Sequence, residues 1–376
     1  MKKIVFLTGT RADFGKIKSL LQILDDHPKY EAYIFVTGMH LMELYGYTLL
    51  EIERCGFKNI HTFSNHTSET TMDLTLAKTV EGFSAYIKEI EPDLIVVHGD
   101  RVEAMAGALV GSLNNILVAH IEGGEVSGTI DELIRHSTSK MSQVHFVSND
   151  DAKNRLLQMG EIPESIFVIG SPDIDIMFSK NLPHISEVKS HYEIEFENYA
   201  VAMFHPVTTE VDALDVYAES FVDALTESGK KYVVIYPNND LGSSAILRSY
   251  NRLKENRDFR VFPSIRFEYF LTLLKNADFI IGNSSAGIRE APYYGIPTIN
   301  IGTRQENRSL HEHILNTSYS KEDILEALQS GLEKVEITQD AFGIGNSNEM
   351  FLNCLENDSI WNINHQKQFR DFHGKG

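Results

Sequence analysis

Short runs that are apolar at every position, separated by segments whose apolar residues return every three or four places, set the pattern of this chain. The first run, Lys3–Thr8 (KIVFLT), precedes Arg11–Leu24, where Ile17, Leu20, Leu21 and Leu24 share one helical face. Tyr33–Thr37, Leu94–His98, Leu117–Ile121 and Val144–Val147 continue the series. A run without polar alternation is expected of a parallel strand covered on both faces, so the first half predicts a doubly wound α/β sheet. Regularity weakens between Gly170-Ser171-Pro172 and about Glu197, and a second series then begins with Tyr199–Phe204, Tyr232–Tyr236, Phe259–Val261, Phe279–Ile281 and Thr298–Ile301. Two Rossmann-type domains are expected, over 1–172 and 173–356, with a ligand cleft between the carboxyl ends of their sheets. The tail 357–376 holds the only tryptophan, Trp361, and is a candidate to pack back on the first domain.

The stretch Asp278–Pro292 (DFIIGNSSAGIREAP) reads as a buried strand that stops at a Gly-Asn-Ser-Ser loop and becomes a helix. Backbone N–H groups at such a start, beside the Ser284 and Ser285 hydroxyls, make a neutral cradle for a diphosphate. Glu290 lies within reach of a ribose if the phosphates sit there. An ordinary strand–helix junction has the same residue types.

Composition narrows the classes. At 376 residues the chain is long enough for two cores. A formal charge of −19 argues against a nucleic-acid surface, though not against a single nucleotide. Cys55 and Cys354 are too few for a disulfide framework or a cysteine-rich zinc site. Apolar runs fall short of a membrane span, and Met1-Lys2-Lys3 leads directly into a strand, so the expected address is the cytoplasm, with no membrane partner.

Gly9–Lys16 (GTRADFGK) approaches the phosphate loop G-x-x-x-x-G-K-[ST], but it has one residue too many between the glycines. Ile17 also stands where a magnesium-holding hydroxyl is needed. The reading that survives is Arg11 and Lys16 facing the cleft, suited to a leaving phosphate, or simply solvated on a first helical turn. No G-x-G-x-x-G fingerprint supports a dinucleotide.

DLIVVHGDRVE puts His98 and Asp100 beyond one strand, and LVAHIEGGE puts His120 and Glu122 at the end of the next. Asp131 follows at a helix start, with Arg135 one turn on as its candidate ion partner. Three converging carboxylates repel one another, which favours one staying protonated, as acid–base chemistry requires. A metal set of His98, Asp100, His120 and Glu122 is the weaker reading, because both histidines lie within the strands; no metal is expected. His205, ending the first strand of the second half, faces the cleft. Arg266 precedes Phe267 and Phe270, which suit a nucleobase or a helix core equally.

GTRADFGK, TGMH, HGDR, HIEGGE, GSPD, FHPVTTE, PSIRFEYF, GNSSAGIREAP and the Gly302–Arg308 motif together resemble the UDP-N-acetylglucosamine 2-epimerases over about Lys3–Leu328. The Gly9–Asp13 sequence GTRAD departs from the GTRPE of the non-hydrolysing branch and is similar to the hydrolysing one. The resemblance implies a GT-B-like fold, no cofactor, a UDP-sugar substrate and a homodimer or homotetramer. It also implies Ser284 and Ser285 on the diphosphate, Glu290 on the ribose and Arg266 on the uridine side. Asp100, Glu122 and Asp131 would be catalytic, with His205, Arg11 and Lys16 around the leaving group. Asp100 and Asp131 are expected to flank carbon 2, and Glu122 to aid water or leaving-group chemistry. A diacetamido-trideoxy sugar nucleotide is an alternative substrate; a glycosyltransferase or a silent sugar-nucleotide sensor are the alternative classes.

Overall fold

The computed structural model describes residues 1–66, 71–127, 129–306, 314–331, 333–334 and 342–371. Two parallel sheets carry the chain. The first holds β1 (Lys2–Thr8), β2 (Tyr30–Val36), β3 (Ile60–Thr62), β4 (Leu94–His98), β5 (Leu117–Ile121), β6 (Val144–Val147) and β7 (Ile166–Val168), in spatial order 3-2-1-4-5-6-7. The second holds β8 (Ala200–Met203), β9 (Tyr232–Ile235), β10 (Phe259–Phe262), β11 (Ile280–Gly282), β12 (Thr298–Ile301) and β13 (Ile314–Thr317), in order 10-9-8-11-12-13. Each order reverses beside its first strand, which opens a crevice between β1 and β4 and another between β8 and β11. The fully apolar central strands are buried on both faces, as their lack of alternation requires.

The first helix starts where expected. Thr10 caps it and Asp13 closes the reciprocal capping box, while Ile17, Leu20, Leu21 and Leu24 face the sheet. Gly15 brings this helix against the second half: a Cβ there would lie 2.6 Å from the Phe267 ring. Phe267 and Phe270 belong to the core of the second half.

The expected helix after β11 is broken. Ser284 caps a single 3-10 turn, Ser285–Gly287, and only a four-residue helix, Glu290–Tyr293, follows. Gly287 is pressed against β12, where a Cβ would meet Thr298 Cγ2 at 2.6 Å, and Thr298 Oγ1 donates to its carbonyl. The helix-dipole part of the phosphate cradle therefore shrinks to one turn of N–H groups.

The helix Ser347–Glu356 lies in the core of the first sheet. Its Phe351 ring sits 6.3 Å from Phe6 and 5.0 Å from Phe146, and Tyr30 Oη donates to Leu355 O at 2.7 Å. Trp361 stacks on Tyr30, and Lys367 Nζ donates to the carbonyls of Ser139 and Ser142. No helix among the described residues is long and apolar enough to cross a membrane.

Candidate active site

The loops leaving β1, β4, β5, β8 and β11 open on one cleft between the sheets, a cavity of about 260 Å³. Arg11, Lys16, Asp100, Glu122, Asp131, His205, Ser284, Ser285 and Glu290 all line it. Arg266 stands outside this wall, on an adjoining cleft of about 410 Å³. Arg11 lines both, and its guanidinium is ion-paired with Glu51, whose carboxylate also lies 3.8 Å from Arg266 Nε. Arg11 is therefore not the solvated surface charge that a first helical turn allows.

Asp13 explains why Gly9–Lys16 is not a phosphate loop. Its carboxylate accepts from Gly9 N at 3.0 Å and Thr10 N at 2.8 Å, so the donors that would cradle a phosphate already hold an internal anion.

Lys16 is buried and reaches Glu122 Oε1 at 3.0 Å. Burial and the neighbouring Arg289 push its pKa down, but Glu122, Asp173 and Glu290 outweigh them and raise it. Glu122 is the reciprocal case. Burial opposes its charge, yet Arg289 at 2.7 Å, Lys16 and His98 hold it well below the usual carboxylate range. Its backbone sits at φ +66°, which turns the chain sharply as it leaves β5. Glu290 is held high by burial, and its Oε2 has no hydrogen-bond partner.

Asp100 and Asp131 face the same cavity with different companions. Arg135, fully buried, pairs with Asp100 rather than with Asp131, and its other nitrogen donates to Ser127 Oγ at 3.1 Å. Asp131 instead has Arg304 at 3.4 Å, from the second half. Burial and then Asp100 raise the Asp131 pKa against the pull of Arg304. One carboxylate thus carries a buried cation while its neighbour is biased towards its protonated form.

His205 accepts from Asn238 N through Nδ1 at 3.0 Å, so the neutral ring carries its proton on Nε2. Burial, Arg304 and Arg101 depress its pKa well below the usual value. It is therefore a neutral hydrogen-bond donor. Asn283 fixes it by exchanging two hydrogen bonds with the His205 backbone, at 2.6 and 2.9 Å. His120 is occupied too, with Ser139 Oγ at 2.9 Å and Gly99 O at 2.8 Å on its two nitrogens. No cluster of three or more His, Cys, Asp or Glu among the described residues is arranged to hold a metal.

Burial depresses His40 to about 4 and His120 to about 3. Below about pH 6.5 the unfolded chain then binds more protons than the folded one, so stability is lost as the pH is lowered. Each histidine is expected to cost on the order of 2 kcal/mol between pH 7 and pH 5. Urea denaturation at the two pH values checks this; equal or greater stability at pH 5 contradicts it.

Arg289, Arg304 and Arg101 belong to the site and escaped the sequence reading. Arg289 reaches Glu122, Glu125 at 2.5 Å and Ser171 across the two halves. Arg304 also donates to Asn283 O at 3.1 Å, and Arg101 to Asn239 Oδ1 at 2.7 Å. All three lie inside or beside motifs already singled out, but sequence does not say that their partners come from the other sheet. Asn307 and Arg308, which end the Gly302–Arg308 motif, lie outside the described residues.

Paired parallel sheets with a carboxylate-rich cleft between their carboxyl ends define a GT-B-like α/β protein. A family model described as UDP-N-acetylglucosamine 2-epimerase matches residues 22–356. A Neisseria meningitidis UDP-N-acetylglucosamine 2-epimerase is 48% identical over 99% of both chains. A Legionella pneumophila UDP-N,N'-diacetylbacillosamine 2-epimerase (hydrolyzing) is 32% identical over 95% of this chain and 96% of its own. Among solved structures, the Methanocaldococcus jannaschii UDP-GlcNAc 2-epimerase in complex with UDP-GlcNAc and UDP superposes with a TM-score of 0.80 at 25% identity, over 94% of this chain and 99% of that one. The chain belongs to the UDP-N-acetylglucosamine 2-epimerase family.

Proposed function

We propose that this protein is a hydrolysing UDP-N-acetylglucosamine 2-epimerase that converts UDP-N-acetylglucosamine and water to N-acetylmannosamine and UDP. It would supply sialic-acid synthesis from the cytoplasm as a homodimer or homotetramer. The observation that carries this reading is the pair Asp100 and Asp131, one ion-paired with Arg135 and the other biased towards protonation, on one cavity wall facing the Ser284–Ser285 turn.

The chemistry follows from those settings. Asp100 removes the proton on carbon 2 while the carbon 1–oxygen bond breaks, and the bonding electrons leave on the β-phosphate of UDP. Lys16, the His205 Nε2–H and the N–H groups of the Ser284–Ser285 turn stabilise that charge in a site already arranged for it. The product of this step is 2-acetamidoglucal. Asp131 then protonates carbon 2 from the opposite face as water adds to carbon 1, giving the inverted free sugar. Glu122, held ionised, positions Lys16 and Arg289 rather than moving a proton.

Two hydrolysing relatives are named for diacetylbacillosamine nucleotides, from Legionella and, at 30% identity, Campylobacter jejuni. The 48% identical relative favours UDP-N-acetylglucosamine here. Proton NMR of turnover in deuterated water with EDTA tests the reading. Free N-acetylmannosamine deuterated at carbon 2, with UDP, is expected. UDP-N-acetylmannosamine as the product, or turnover of the diacetamido substrate alone, overturns it.

A further inference from the structure

A second cavity of about 30 Å³ adjoins the main one at Asp100 and Asp131. It shares Asp100, Arg101 and Asp131 with the first. Its remaining polar wall is Asn239 and Asp240, from the loop after β9, with Thr71 and Thr75, and its apolar wall is Met72, Val102, Ile134 and Leu241. A volume of this size excludes a sugar or a phosphate but admits about one or two waters. Water held here finds hydrogen-bond partners in the Asp100 and Asp131 carboxylates, in Arg101 and Asn239, and in the Thr71 and Thr75 hydroxyls. Arg101 borders the space and bridges the two halves: its Nη2 donates to Asn239 at 2.7 Å and lies 3.5 Å from Asp240.

We propose that this cavity stores the water consumed in the reaction and delivers it to the glucal. The inference rests on the hydrolysing reading, in which the main cavity is filled by UDP and the unsaturated sugar at the moment water is needed. Water that must then enter from bulk solvent would have to pass those products; water already stored beside Asp100 and Asp131 does not. Its oxygen bonds to carbon 1, and one of its protons passes to the Asp131 carboxylate that has just protonated carbon 2, which resets that group. The proton taken up by Asp100 in the first step leaves to solvent, so atoms and charge balance.

The test fills the cavity from walls that carry no chemistry. Val102→Ile and Thr75→Leu each place extra carbon into the space. Purified 2-acetamidoglucal, supplied directly, is expected to be hydrated about tenfold or more slowly by these variants, while UDP release from UDP-N-acetylglucosamine and its KM stay within about twofold. Glucal should then accumulate during turnover. Hydration at the native rate in folded variants, or equal slowing of both steps, overturns the proposal. A crystal structure of the native protein with UDP gives a second reading: ordered water within hydrogen-bond distance of Asp100 or Asp131 is expected, and a dry cavity overturns it. Failure of the hydrolysing assignment is distinguishable, since the native protein would then release no free sugar and would not hydrate glucal at all.

Discussion

Asp100→Asn is expected to abolish UDP release, by about 10³-fold or more, whereas Asp131→Asn is expected to leave UDP release largely intact and to block the conversion of glucal to free sugar. The asymmetry comes from their partners. Asp100 sits against Arg135, a cation with no exposure to solvent, which keeps it available as a base. The amide in Asp100→Asn keeps the shape but cannot accept the carbon 2 proton. Asp131 has burial and Asp100 working against its charge, which raises its pKa and suits it to the acid role. The amide in Asp131→Asn keeps a hydrogen bond to Arg304 but has no proton to give. Two assays separate the steps: UDP release with carbon 2 exchange in deuterated water, and hydration of supplied glucal. Equal loss in both assays from both variants would falsify the division of labour. Asp100→Asn also leaves Arg135 without its counter-charge, so rates are compared per folded molecule.

The second large effect is on stability. Arg289→Met removes the cation shared by Glu122 and Glu125, both buried, and leaves those charges facing each other with Lys16 and Arg135 as the nearest compensation. Breaking a buried pair from one side costs about 3–5 kcal/mol, far more than the net worth of the intact pair, because the stranded charge has lost its hydration as well. The urea midpoint is therefore expected to fall sharply. Adding Glu125→Gln in the same background is expected to recover part of the loss, since the stranded charge is then gone. A loss below about 1 kcal/mol would mean that water enters the site freely when the guanidinium is removed.

Much of this was legible in the sequence because fully apolar runs have few alternatives to buried parallel strands. The runs at Leu94–His98 and Leu117–Ile121 coincide with β4 and β5, and the residues just beyond them stand on the cavity wall. The two edge strands of the first sheet were not legible. β3 and β7 are three residues long and only partly buried, too short for any period to show. The break after Gly287 was also hidden, because the Gly287 carbonyl there accepts from Thr298 Oγ1, a contact that the local sequence does not contain. The same holds for charge partners. Helical spacing suggested Arg135 for Asp131, and local geometry permits it, but the neighbouring strand supplies Asp100 as the nearer anion. The assignment of Arg304 to Asp131 needed both sheets in place.

The placement of Ser347–Glu356 bears on how the chain is made as well as on how it rests. Phe351 and Leu355 fill the core beneath β1, β4 and β6, yet they are translated about 180 residues after β7, the last strand of that sheet. At roughly 5–20 residues per second, the first sheet waits tens of seconds on the ribosome with an apolar trough where that helix belongs. Synthesis is vectorial, but closure of this core is not: the half that is made first is finished last. A nascent chain stalled before residue 347 would present that trough to chaperones, and a frameshift late in the reading frame would injure the first sheet while sparing most of the second.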